Sequence, residues 1–193
     1  MLEKVTVYCA SSDKVDGKYF DLAGKLGETL AKNNITTVYG GSSMGLMAKL
    51  ANTALENGGD VIGIMPRFMN EVEWSHQGLT ELILVEDMRQ RKEMLLEGVD
   101  ALVALPGGCG TLEELSEAIT LKRLGKFTKP IIIVNTDGFY NPLIELFDRM
   151  IQENFLREEH RNIWTVVNTA EEILDAIKTA PEWNEEAIKF AAV

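Results

Sequence analysis

Short runs rich in β-branched and aliphatic residues alternate with longer stretches of helical period along almost the whole chain, and this alternation most constrains the fold. Residues 5–9, 36–39, 61–65, 82–85, 101–105, 131–134 and 164–167 read as strands. Helices are expected over 18–33, with Phe20, Leu22, Leu26 and Leu30 on one side, and over 88–97. Others are expected after Gly45, closed by Asn57-Gly58-Gly59, and from Thr111, Pro142 and Thr169. Strand and helix in strict alternation imply βαβ units and a parallel sheet covered on both faces, a Rossmann-like α/β fold. Gly, Ser and Asn cluster at the strand-to-helix turns, which is where open α/β sheets bind ligands.

The chain has 193 residues, enough for one such core, expected over 1–180. After Pro181, residues 182–193 read as a short C-terminal helical extension. Asp and Glu number 30 against 19 Lys and Arg, a net charge of −11. That excess gives no broad attraction to nucleic acid or to an anionic membrane; a small anion would need a pocket supplying its own donors. Cys9 and Cys109 lie too far apart in sequence to suggest a disulfide framework, and with only His76 and His160 no metal-ligand spacing is present. A cytoplasmic protein is expected. The start shows no basic leader followed by a long apolar stretch, and no run approaches a membrane span.

Two glycine turns stand out. In VYGGSSMGLM a strand ends in Gly40-Gly41 and Gly45 precedes a helix. Glycines let backbone N–H groups approach a ligand, and a helix N-terminus favours an anion; a turn needed only for packing fits equally well. The run is neither GxGxxG nor a P-loop. In LPGGCGTLEE a buried strand runs into Pro106, then Gly107, Gly108, Cys109 and Gly110, and Thr111 opens a helix. The amides of Gly108, Cys109, Gly110 and Thr111 form a candidate phosphate cradle. Thr111-x-x-Glu114 is also a complete capping box, in which Glu114 would only reach back to the N-cap amide. Cys109, with no His nearby in sequence, reads as a loop spacer. In MRQRKEMLL, Arg91 shares the apolar stripe with Met88, Met94 and Leu95, so its guanidinium must meet an anion: a substrate or a structural carboxylate.

These residues together resemble the LONELY GUY (LOG) family, the cytokinin-activating nucleoside 5′-monophosphate phosphoribohydrolases. Its pattern PGGxGTxxE is matched by Pro106, Gly107, Gly108, Gly110, Thr111 and Glu114. Gly40-Gly41 with Gly45-Leu46-Met47, and Met88, Arg91 and Lys92, match its other two elements. Ala48 departs from the usual glycine, and residues 67–77 do not align with the family pattern, so base recognition is unassigned. Relatives also carry the label lysine decarboxylase, but no pyridoxal phosphate site emerges from these residues.

The resemblance implies hydrolysis of the N-glycosidic bond of N6-modified adenosine 5′-monophosphates, and possibly of AMP, without cofactor or metal. It implies Glu114 as the carboxylate that stabilises positive charge at C1′ and polarises water, and Arg91 as a clamp that also holds Glu114 ionised. Gly40, Gly41, Met88, Lys92, residues 107–111, Leu112, Glu113 and Thr120 complete the implied substrate site. A homodimer or higher homo-oligomer, with the site near the subunit interface, is implied as well. The rival is a nucleotide- or molybdenum-cofactor-binding carrier, which would need the cradle but not a paired Glu114 and Arg91.

Overall fold

The computed structural model describes residues 2–72 and 74–191. Among them, Lys4–Tyr8 (β1), Thr36–Tyr39 (β2), Val61–Pro66 (β3), Glu81–Val85 (β4), Ala101–Ala104 (β5), Ile131–Val134 (β6) and Thr165–Val167 (β7) form one sheet. Its order is β4-β3-β2-β1-β5-β6-β7, and every neighbouring pair is parallel. The helices are Gly17–Lys32 (α1), Gly45–Glu56 (α2), Arg67–Asn70 (α3), Met88–Leu96 (α4), Cys109–Arg123 (α5), Asn141–Gln152 (α6) and Ile173–Thr179 (α7). This is the expected Rossmann-like architecture.

Alternation along the strands builds two cores. On β5, Ala101 and Val103 join Leu26, Leu30, Leu50 and Ile173 from α1, α2 and α7. Leu102 and Ala104 point the other way, to Leu95, Leu115, Ile119 and Phe147 from α4, α5 and α6. Side chains of period two on a strand buried on both faces require this near-continuous apolar run. The chain builds outward from β1 to β4, then returns to lay β5 along the free side of β1, Val5 beside Ala101. The loops after β1 and β5 therefore diverge, and their divergence opens a crevice at the carboxyl ends of the two strands. No helix among the described residues is long and apolar enough to cross a membrane.

Several boundaries differ from expectation. The helix expected from Thr111 begins at Cys109. The helix expected from Thr169 begins at Ile173, because the Glu172 carboxylate accepts from the Asn168 and Thr169 amides at 2.7 and 3.2 Å and holds that stretch as a turn. The C-terminal segment forms a 3-10 helix, Glu185–Phe190, started by Asn184 accepting from the Glu186 amide. Trp183 pins it by donating Nε1–H to the Lys122 carbonyl at 2.6 Å. Residues 192 and 193 of the expected extension, and 73 of the unaligned stretch, lie outside the described residues.

The crossing of α1 on α2 depends on small residues. A Cβ at Gly27 would stand 2.4 Å from the Leu50 carbonyl oxygen, so Gly27→Ala must push the helices apart. A loss of about 2 kcal/mol is expected, a fall of ~4–8 °C in thermal midpoint. Gly17→Ala, where a Cβ meets nothing within 4 Å, serves as control and should melt no lower than the parent. Equal midpoints for all three proteins in thermal circular dichroism would show that the close crossing is absent.

Candidate active site

The crevice between β1 and β5 deepens into a cleft of about 380 Å³. One wall is the loop after β1, Cys9 to Ser12; the other is the start of α5, Gly108 to Thr111, with Glu114 one turn further on. Met47, Met69, Met88 and Arg91, from α2, α3 and α4, complete the lining.

Arg91 and Glu114 meet beneath this cleft, Nη1 donating to Oε1. Both side chains are under a tenth exposed, at 6% and 9%. Arg91 also donates Nε–H to the carbonyl of Ile64, within β3, at 3.1 Å. Gly40 makes this position available, since a Cβ there would lie 2.2 Å from Arg91 Nη2. Burial pushes the Glu114 carboxyl above the ordinary carboxylate range, while the charge and hydrogen bond of Arg91 pull the other way. Desolvation is the larger of the two effects, and Arg91 is the group that favours the charged form. Burial raises the Cys9 thiol too, so it is kept protonated.

Because α5 starts at Cys109 with Gly108 as N-cap, Thr111 is the third helical residue rather than a cap. The capping-box alternative fails: Glu114 bonds Arg91, and no side chain caps this helix. The first intrahelical bond runs from the Leu112 amide to the Gly108 carbonyl at 3.0 Å, so the amides of Cys109, Gly110 and Thr111 are first-turn donors without helical acceptors. A Cβ on Gly108 or Gly110 would meet nothing within 4 Å, whereas one on Gly107 would collide with Thr111 Oγ1 at 2.1 Å. Gly108 and Gly110 keep the cradle open; Gly107 allows Thr111 to close its back. Gly45, at φ +60, lets α2 pass Ser11, whose carbonyl carbon would lie 2.4 Å from a Cβ there.

Of the other residues singled out from sequence, Cys109, Met88 and Gly110 line the cleft. Gly41, at φ +78, shapes the β2 turn, and its carbonyl accepts from the His76 amide. Lys92 stands over α5, bonded to Glu113 at 2.6 Å and Glu117 at 2.8 Å. Leu112 is exposed beside the cradle. Thr120 is exposed and donates to the Ser116 carbonyl of its own helix at 2.9 Å, so the fold does not bring it into the cleft. Met47, part of the Gly45-Leu46-Met47 element, lines the cleft, as do Ser11, Ser12 and Met69, which were not singled out. For the two serines the available signal was their place directly after the first strand; Met69 sits on the short α3, which carries no sequence pattern.

Fold and site together define a Rossmann-like α/β protein in which the first-turn amides of α5 border the same cleft as a buried Arg–Glu pair. Comparison with known proteins agrees. The family described as "Possible lysine decarboxylase" matches residues 47–177. The cytokinin riboside 5′-monophosphate phosphoribohydrolase of Rhodococcoides fascians is 39% identical over 178 residues, 92% of this chain and 90% of that one. The probable enzyme of the same name, LOGL2, from Oryza sativa subsp. japonica is 40% identical over 186 residues, 96% of this chain and 76% of that one. The molybdenum cofactor binding protein of Rippkaea orientalis shares the fold, with a TM-score of 0.72 at 20% identity over 93% of this chain and 97% of that one. The chain belongs to the LOG family. Among the described residues no lysine lines the cleft. The buried Lys122, whose amine desolvation pushes down to about 8, donates to the Lys129 carbonyl two turns beyond Glu114.

The balance at Glu114 is measurable. The ¹³C carboxyl titration of Glu114, identified by its loss in Glu114→Gln, should have a midpoint above that of an ordinary glutamate. Arg91→Met, which removes the opposing cation, should raise it again. An unchanged midpoint would mean that the two groups do not interact in solution.

Proposed function

We propose that the protein hydrolyses the N-glycosidic bond of N6-modified adenosine 5′-monophosphates, releasing the free base and ribose 5-phosphate. The observation that carries this reading is the buried Glu114 carboxylate, held by Arg91 one turn behind an open cradle of first-turn amides. The names of the curated relatives, cytokinin riboside 5′-monophosphate phosphoribohydrolases, point to the same reaction.

The 5′-phosphate rests on the amides of Cys109, Gly110 and Thr111, where helix geometry favours an anion. That anchor lays C1′ against Glu114. As the bond from C1′ to the base nitrogen breaks, positive charge grows on the ribose, and the carboxylate stabilises it in a site shielded from water. Glu114 then takes a proton from the incoming water as its oxygen bonds C1′, and that proton passes on to the departing base, which restores the carboxylate. Arg91 spends Nη1 on Glu114 and Nε on Ile64, leaving its outer donors for ribose hydroxyls. Met88 and Met69 form the base side of the cleft. A carrier would need the cradle alone, and would have no use for a carboxylate and a guanidinium buried together beneath it.

Exposed apolar side chains flank the cleft: Phe68, Trp74, Met88, Leu112 and Met44 are each 38–55% exposed. On our reading a second copy of the chain covers them, making a homodimer with the site beside the interface. An exposed thiol, Cys109, fits a reducing cytoplasmic setting.

The direct assay incubates the protein with N6-isopentenyl-AMP, AMP and the two corresponding nucleosides, and chromatographs the free base. The N6-modified nucleotide should be cleaved, and each nucleoside at least ~10³-fold less efficiently than its monophosphate, because remote phosphate binding is converted into rate at C1′. Comparable kcat/KM for nucleoside and nucleotide would remove the cradle assignment. Glu114→Gln should keep its fold and lose at least ~10² in kcat; a lowered melting point with parental kcat would leave Glu114 a structural ion-pair partner only. Light scattering on active protein at micromolar concentration should give twice the chain mass, and a monomer would contradict the covered interface.

A further inference from the structure

Behind the cradle lies a second cavity, of about 240 Å³, walled by Val15, Tyr19, Leu46, Pro106 and Phe139. It shares Ala10, Ser12 and Gly108 with the cleft, so the two spaces adjoin at Gly108, directly before the amides assigned to the phosphate. No charged side chain lines it among the described residues. Its aromatic wall is a built feature. Phe139 packs edge-on against Tyr19 at 5.9 Å and against Tyr140 at 4.9 Å. Tyr140 in turn donates its hydroxyl to the Leu105 carbonyl at 2.7 Å, directly before the cradle loop. The aromatic group and the cradle are thereby held in one frame.

An apolar chamber cannot hold a second phosphate, because nothing in it would repay desolvation of that charge. Its volume falls below that of a complete small-molecule pocket, which suits one flat ring system against an aromatic wall. Resting on the phosphate-cradle reading above, we propose that the enzyme also takes nucleotides whose 5′-phosphate carries a flat aromatic or heterocyclic group in ester linkage. The ribose lies toward Glu114 and the second group enters the Tyr19–Phe139 chamber. The bond cleaved is the same: C1′ parts from the base nitrogen, water oxygen takes its place, the base leaves with the proton, and the phosphodiester stays intact on the ribose.

Two probes of equal charge isolate the chamber: the phenyl and the methyl ester of AMP, each competing against hydrolysis of N6-isopentenyl-AMP. The phenyl ester should inhibit at least ~10-fold more tightly, and its adenine should be released. Phe139→Ala, at a side chain 41% exposed, should bring the two inhibition constants within about 2-fold while AMP kinetics hold; Tyr19→Leu, checked by thermal melting, supplies a second variant should the first be unstable. Equal inhibition by both esters in the parent, or a preference that survives both substitutions, overturns the proposal. Calorimetry of AMP and both esters separates the two readings. AMP bound without phenyl preference removes only the chamber, whereas no binding of AMP or of either ester removes the cradle and the chamber with it.

Discussion

Burying a guanidinium against a carboxylate is costly, because each ion loses its hydration and direct attraction repays that only where further partners satisfy both groups. Here the partners come from three different strands and the turns that follow them. Arg91 needs the Ile64 carbonyl within β3, the bare Cα of Gly40 directly after β2, and Glu114, positioned by the turn that follows β5. A pair of apolar residues of similar volume would hold α4 against α5 at least as well. The stability of the fold therefore gives no reason for the pair. Its position under an open cradle does, and the rest of the cleft is arranged around it.

The glycines divide the work among themselves. Gly40 and Gly107 are small because a specific side chain, Arg91 or Thr111, occupies the space a Cβ would take. Gly45 is small because the backbone of the β1 loop passes it, and its positive φ would strain any side chain. Gly108 and Gly110 face empty space, so packing does not explain them. On the proposed reaction, glycine at the amide end of this helix leaves the backbone open to the approach of the phosphate.

Much of this was legible from residue order. The strand set and the parallel class follow from aliphatic runs such as ALVAL, which only a doubly covered strand can bury. Arg91 was placed inward by its spacing from Met88, Met94 and Leu95, and the structure buries it. What escaped depended on side-chain contacts, near and far in sequence, that hydrophobic period does not carry. Glu172 reaches back to two amides and delays α7 by four residues. Trp183 finds a carbonyl 61 positions away and holds the C-terminal segment as a 3-10 turn. Thr120 matches a family position, yet its hydroxyl is turned to its own helix. Met69 enters the cleft only because the chain after β3 makes one short helical turn.

The strong acidity of the chain looks unsuited to an anionic substrate, and on the proposed reaction it has two opposite consequences. A net charge of −11 opposes the approach of a phosphate; Arg91, in the cleft lining, is already paired with Glu114, and Lys92 is engaged by Glu113 and Glu117. The phosphate is then held by oriented amide dipoles, which are neutral and need no counter-charge. The transition state is different: charge developing at C1′ is positive, and a negative surrounding field favours it. A lysine or arginine gripping the phosphate would bind substrate more firmly and also raise the potential at C1′, working against Glu114. Amides bind the ground state without that penalty. An acidic protein with a glycine cradle thus separates holding the anion from stabilising the cation, which is what cleavage of this bond asks of a site.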